Sequence, residues 1–154
     1  MNTQSILQQV DALIERGGGD WLGELCGLLQ RERPHYNWVG LYFVEGNELV
    51  LGPFVGAPSP HVRIPIGKGI CGAAVAERQT VVVPDVNADP RYLACSIQTK
   101  SEIVVPIEHE GRIVGEIDID SHTRSAFTID DRSLLEAVAR RLAPVLAARM
   151  PAPR

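Results

Sequence analysis

The hydrophobic period changes twice along the chain, and this change constrains the fold more than any other feature. Apolar residues recur every three or four positions in 3–16, in the segment after Asp20 and in 128–149, which predicts helices at both ends. Between them the period falls to two, and β-branched residues dominate. Helices at both ends and strands in the middle indicate an α+β fold.

The central region divides into short strands with one helix among them. The sequence predicts strands at 37–44, 48–54, about 61–66 and 80–84, a helix at 69–78, and a hairpin formed by SEIVVPIEH and RIVGEIDIDS. Residues 85–100 have no clear period, and a loop of that length in a compact domain is usually functional. We therefore predict a mostly antiparallel sheet with the N- and C-terminal helices on one face. A ligand pocket would lie on the other face, under the 85–100 segment.

The length and net charge of the chain indicate how many domains it forms and which kinds of partner are not expected. A chain of 154 residues without repeats or a linker predicts a single domain, 1–154, in which 1–33 form the N-terminal helices and 36–149 the core and the last helix. The net charge of -4 gives no reason to expect nucleic acid or an anionic membrane as a partner. No membrane span or signal peptide is recognisable, so we expect a cytoplasmic protein.

The hairpin brings acidic residues together. A two-residue loop would mix apolar and charged side chains on each face, whereas a three-residue loop, 109–111, keeps the isoleucines together. Gly111 would supply the positive φ that such a loop needs. The sequence therefore predicts the three-residue loop, with Glu102 opposite Asp118 and with Asp120 two residues further along the same face.

These three carboxylates allow two interpretations. They form either a solvated acidic sheet edge or a pocket for a cation, which would be a metal ion or an ammonium group. No histidine stands at ligand spacing, although carboxylates alone can hold Mg²⁺ or Ca²⁺. An ammonium-bearing ligand fits better, so we predict no metal and no cofactor.

The three cysteines differ in context, and none forms a CxxC pair. Cys95 lies in the polar 85–100 segment seven residues before Glu102, which favours a reactive thiol. Cys71 falls in the first turn of the predicted helix, where the helix dipole and Lys68 would favour thiolate, although for this residue taken alone burial by helix packing is the favoured interpretation. Cys26 lies on an apolar helical stripe and is predicted to fill the core.

The chain resembles the free methionine-(R)-sulfoxide reductases, which are small GAF-fold enzymes. The resemblance covers about residues 36–145 and rests on YNWVGLYFVEGNELVLGPFVG, VRIPIGKGICGAAVA, the segment from LAC through SEIVVPI, and GEIDIDS. It implies reduction of free L-methionine (R)-sulfoxide, regeneration by thioredoxin, and the homodimer common among GAF domains.

The resemblance also implies roles for individual residues. Cys95 matches the cysteine that attacks the sulfoxide sulfur and becomes a sulfenic acid, and Cys71 matches a further cysteine near the site. The remaining matches are substrate-binding positions: the carboxylates Glu102, Asp118 and Asp120, which also assist protonation of the sulfoxide oxygen, and the aromatic residues Trp38 and Tyr42.

One position departs from the family pattern. The family usually carries a resolving cysteine just before VRIP, and this chain has His61 there. Resolution of the oxidised Cys95 would then fall to Cys71 or to an external thiol. Two alternatives to the reductase stay open: a non-catalytic GAF sensor of a small molecule, and a redox sensor that uses a disulfide between Cys95 and Cys71.

Overall fold

The computed structural model describes residues 1–94 and 96–150. Its four α-helices are α1 (Thr3–Arg16), α2 (Trp21–Glu32), α3 (Gly69–Glu77) and α4 (Ile129–Ala148), and a short 3-10 helix spans Val86–Ala88. Its six strands are β1 (Trp38–Glu45), β2 (Glu48–Val55), β3 (Arg63–Pro65), β4 (Val81–Val83), β5 (Ser101–His109) and β6 (Arg112–Ser121). Among the described residues, no helix combines the length and apolar character needed to cross a bilayer.

The six strands form one antiparallel sheet in the order β3-β2-β1-β6-β5-β4. Strands β5 and β6 therefore lie inside the sheet rather than at its edge. This arrangement confirms the predicted α+β fold.

Each face of the sheet has its own hydrophobic core. Helices α1, α2 and α4 pack against one face, where Ile103, Ile117 and Ile119 are fully buried. Helix α3 and parts of the 85–100 segment cover the opposite face. The predicted segregation of the terminal helices is therefore confirmed, and the second core is where a pocket can form.

Helix α4 is fixed at its start by Asp131. A capping box is present: Asp131 accepts a hydrogen bond from the backbone N–H of Thr128, and the Thr128 side chain completes the motif. The same carboxylate accepts from the Tyr36 hydroxyl at 2.7 Å and lies 2.9 Å from His35 Nε2. Burial acts to raise the pKa of Asp131, but these hydrogen bonds outweigh it and lower that pKa. The cap thus ties α4 to the segment that enters β1.

The hairpin differs from the prediction in its register. The loop has two residues, Glu110 and Gly111, both with positive φ (50° and 81°). As a result Glu102 pairs with Asp120, and Val104 pairs with Asp118. The predicted three-residue loop, and with it the pairing of Glu102 with Asp118, is wrong.

A β-bulge explains the difference. Ile107 pairs with Gly115 but Glu108 pairs with Ile113, so Val114 is an extra residue in β6 close to the turn. This residue restores the alternation that a two-residue loop alone would have broken. The carboxylates therefore stay on one face, as predicted, although their partners change.

Candidate active site

A narrow cavity of about 30 Å³ lies between the sheet, the start of α3 and the 85–100 segment. A volume of that size holds a few ordered waters at most. Six of the seven predicted site residues line it: Trp38, Tyr42, Cys71, Glu102, Asp118 and Asp120. The seventh, Cys95, lies outside the described residues.

Two aromatic side chains of β1 form one wall. In the β1–β6 ladder, Trp38 pairs with Asp120 and Tyr42 with Glu116, which places both rings on the carboxylate face. Trp38 Nε1 donates to the Ala57 carbonyl at 2.8 Å, and the Tyr42 hydroxyl donates to the His61 carbonyl at the same distance. Both rings are therefore held rigidly.

The three predicted carboxylates are buried, which excludes the solvated sheet edge as their interpretation. Glu102 is 6% exposed, and Asp118 and Asp120 are each 5% exposed. Burial, followed by the charges of Asp118 and Asp120, raises the pKa of Glu102 well above its ordinary value. Burial also raises the pKa of Asp118, while hydrogen bonds from Glu102 and Cys71 oppose the rise. The surroundings of Glu102 therefore favour its protonated form.

Cys71 lies at the centre of this acidic group. Its Sγ is 3.3 Å from Asp118 Oδ2 and 4.0 Å from Glu102 Oε2, and the residue is 6% exposed. Burial raises the pKa of the Cys71 thiol, and the charges of Asp118, Glu116 and Glu102 raise it further.

The Cys71 thiol differs from the sequence prediction in its protonation. We predicted that the helix dipole and Lys68 would favour thiolate at Cys71. Desolvation and the carboxylates outweigh them, so the resting thiol is protonated.

Glu116 was missed by the sequence analysis. It is fully buried on β6, two residues before Asp118, and so lies on the carboxylate face. Neither of its carboxylate oxygens has a hydrogen-bond partner of good geometry among the described residues, although the Cys71 thiol lies beside it. Burial and the charge of Asp118 raise the pKa of Glu116 well above its ordinary value. Side chains alternate between the two faces of a strand, so the position of Glu116 two residues before Asp118 could have placed it on the carboxylate face from the sequence.

His61 lies at the rim of the cavity rather than on an isolated surface loop. It is half-buried, and its Nε2 is 3.1 Å from the carbonyl oxygen of Ala94, the residue before Cys95 in the chain. The imidazole therefore links the loop before β3 to the 85–100 segment.

Cys26 takes the structural role predicted for it. The residue is fully buried in the helix-side core, and its Sγ lies 3.8 Å from the Pro53 carbonyl oxygen. Burial, with a smaller contribution from Asp20, raises the pKa of the thiol to about 12.

The chain is similar in sequence to known proteins. The family model of the GAF domain matches residues 20–146. The free methionine-R-sulfoxide reductase of Escherichia coli is 40% identical over 126 residues, which cover 82% of this chain and 76% of that protein.

Two solved structures resemble the chain closely. The free methionine-R-sulfoxide reductase of Neisseria meningitidis, in complex with its substrate, has a TM-score of 0.88 at 36% identity, covering 95% of this chain and 89% of that one. The reduced enzyme of Staphylococcus aureus has a TM-score of 0.87 at 42% identity, covering 94% and 95%.

Proposed function

This chain belongs to the free methionine-R-sulfoxide reductases of the GAF domain family, and we propose that it reduces free methionine (R)-sulfoxide with Cys95 as the nucleophile. The proposal rests on one observation: two aromatic side chains, three buried carboxylates and the Cys71 thiol line the same cavity. The 85–100 segment, which contains Cys95, borders this cavity through Tyr92 and Leu93.

The carboxylates account for selection of the free amino acid. Glu102, Asp118 and Asp120 form a buried acidic surface that suits the ammonium group of the substrate. Methionine within a peptide lacks that group, so it would leave the buried carboxylates unpaired. Trp38 and Tyr42 would enclose the methyl end of the side chain.

The first chemical step transfers oxygen. The Cys95 sulfur attacks the sulfoxide sulfur, the S–O bond of the substrate breaks, and the oxygen leaves as the hydroxyl of a sulfenic acid on Cys95. The Cys95 thiol and the sulfoxide thus become the sulfenic acid and methionine. The sulfoxide oxygen must be protonated as the bond breaks, and Glu102, whose pKa burial raises well above its ordinary value, would donate that proton.

The second step regenerates the enzyme. The Cys71 thiol passes its proton to Asp118, 3.3 Å away, and its sulfur displaces water from the sulfenic acid to form a disulfide with Cys95. Two thiols of thioredoxin then reduce this disulfide and become a disulfide themselves. The absence of a cysteine at position 61 is compatible with this route, because Cys71 already borders the substrate carboxylates.

Turnover assays on single variants test the mechanism. The wild-type protein should produce methionine from the free R sulfoxide with dithiothreitol or thioredoxin, and not from the S epimer or a peptide. Cys95→Ser should abolish this activity, and Glu102→Gln should lower kcat/KM by about 10²-fold or more. Activity in Cys95→Ser would overturn the proposed nucleophile, and binding without any turnover would indicate a sensor.

The role of Cys71 needs a separate readout. Cys71→Ser should release one methionine per protein molecule in a single turnover and then stop when thioredoxin is the only reductant. Cys26→Ser is the matched control, since its buried thiol lies in the other core, and it should turn over normally. Unimpaired multiple turnover of Cys71→Ser with thioredoxin would show that another thiol resolves Cys95.

Cellular context and assembly complete the proposal. Reduction by thioredoxin agrees with a cytoplasmic location. Leu7 and Leu13 of α1 pack against the helix-side core but stay half-buried, and their exposed parts would contribute to a homodimer interface. Analytical ultracentrifugation of the wild type and of Leu7→Glu tests the dimer.

A further inference from the structure

We propose that the reduced protein binds a divalent cation of the zinc class through Cys71, Glu102 and Asp118, and that the bound ion blocks the substrate site. The second half of this inference rests on the proposed function. The first half rests on the geometry of the cluster alone.

The ligand atoms have the spacing of a zinc site. One ligand atom from each of the three residues lies within 4.8 Å of the other two. Tetrahedral zinc, with Zn–S of about 2.3 Å and Zn–O of about 2.0–2.2 Å, separates a sulfur ligand from an oxygen ligand by about 3.6 Å. The Cys71 sulfur lies 3.3 Å from Asp118 Oδ2 and 4.0 Å from Glu102 Oε2, on either side of that value.

Glu116 provides an independent indication that the cluster accommodates a cation. Its carboxyl group is fully buried beside Cys71, and neither oxygen has a well-formed hydrogen bond within the described part of the chain. Asp118 Oδ1 is buried without such a partner in the same part of the chain. Buried polar groups normally have hydrogen-bond partners. A cation held by Cys71 and Asp118 would give these buried oxygens the electrostatic partner that they lack.

The donor set indicates which metal binds. A thiolate together with carboxylates suits Zn²⁺ or Cd²⁺, whereas Mg²⁺ and Ca²⁺ prefer oxygen ligands alone. The cavity of about 30 Å³ also has room for an ion and a water. The sequence predicts no metal because no histidine stands at ligand spacing, and Cys71 was not considered there as a metal ligand.

Inhibition follows from the shared residues. The ion would occupy the carboxylates that hold the substrate ammonium group and the thiol that resolves Cys95. Zinc should therefore compete with the sulfoxide. Formation of the disulfide removes the thiol ligand, so only the reduced protein should bind the ion.

Direct binding tests the site. Cd²⁺ titrated into the reduced protein should produce a thiolate-to-metal charge-transfer band that saturates at one equivalent, and Zn²⁺ should displace it. Cys71→Ser should lose the band, while Cys26→Ser and Cys95→Ser keep it. Persistence of the band in Cys71→Ser, or its loss in Cys95→Ser, would overturn the assignment.

The oxygen ligands offer a second check that does not depend on how Cys71→Ser folds. Glu102→Gln and Asp118→Asn should each weaken binding of Cd²⁺ about tenfold or more, and Glu116→Gln should weaken it by a similar factor because it borders the ligands. Unchanged affinity in both Glu102→Gln and Asp118→Asn would contradict the site.

The two proposals can fail separately. Cd²⁺ binding to Cys95→Ser is measured without turnover, so it stands even if the reductase mechanism is wrong. In the active wild type, Zn²⁺ should lower kcat/KM for the sulfoxide, and a chelator should reverse the effect. An unchanged kcat/KM at a Zn²⁺ concentration that saturates the site would refute the blocking role, and turnover without Cd²⁺ binding would refute the site alone.

Discussion

At the scale of single residues, the acidic cluster works against stability. A carboxyl group whose pKa is higher in the folded state than in the unfolded state binds more protons when folded. Its stabilising contribution is complete below the unfolded pKa and is lost as the pH rises through the folded pKa. Glu102, Asp118 and Glu116 all have raised pKa values, so the folded protein should lose stability from about pH 4 upward. The loss of stability persists at neutral pH because these carboxyl groups form the candidate site.

Glu116→Gln isolates one of these groups. The amide keeps the shape of the protonated side chain and cannot ionise, so the variant should be more stable than the wild type by about 1 kcal/mol or more at pH 8. The two proteins should have nearly equal stability at pH 4. Urea unfolding at both pH values measures the difference, and an equal difference at pH 4 and pH 8 would contradict a titrating Glu116.

At the scale of elements, the close approach of β1 to β6 positions the site. Gly115 pairs with Phe43, and a Cβ atom at Gly115 would lie 2.4 Å from the Tyr42 carbonyl oxygen. No L-residue with a side chain fits there unless one strand moves. Because Trp38 and Tyr42 reach the carboxylates across this ladder, the contact controls the shape of the cavity as well as the sheet.

Gly115→Ala should therefore destabilise the protein by about 2–3 kcal/mol and impair turnover. Gly27→Ala is the matched control: Gly27 lies within α2 with open space where its Cβ would stand, so alanine should stabilise the helix by up to about 1 kcal/mol. Thermal unfolding and activity of the two variants would be compared. Equal stability of Gly115→Ala and the wild type would show that the strands can separate freely.

At the scale of the whole molecule, the cavity is too small for the proposed substrate. About 30 Å³ admits a few waters, so binding of methionine sulfoxide requires the residues that line the cavity to rearrange. Binding then couples the 85–100 segment, α3 and the sheet, because each contributes to the same site. A ligand that binds only the folded state should stabilise all of them together.

The Cys95→Ser variant allows this coupling to be measured without turnover. At 100 times the Kd, free methionine (R)-sulfoxide should stabilise the variant by about 2.7 kcal/mol and raise Tm by about 5–10 °C. The N-acetylated sulfoxide, which has no ammonium group, should give no shift. An equal increase in Tm with both compounds would show that the carboxylates do not recognise the ammonium group.

The sequence by itself determined the α+β architecture and the face that carries the acids. Both follow from the local period of apolar residues, and alternation along a strand places Glu102, Asp118 and Asp120 together whatever even shift the register takes. The same alternation includes Glu116, which could have been recognised without a structure. The resemblance to the family added Cys95 as the proposed nucleophile, which composition alone could not supply.

Only the tertiary structure decided the register and the state of the thiol. The register shift opposite Ile107 and Glu108 lets a two-residue turn connect strands whose two faces are both buried. The residue pattern of the hairpin does not distinguish such a bulged hairpin from one with a three-residue loop. The pKa of Cys71 depends on where α3 packs, because its carboxylate neighbours lie 31 and 47 residues further along the chain. Long-range packing brings these groups together, and burial then reverses the preference for thiolate that the helix dipole alone would give.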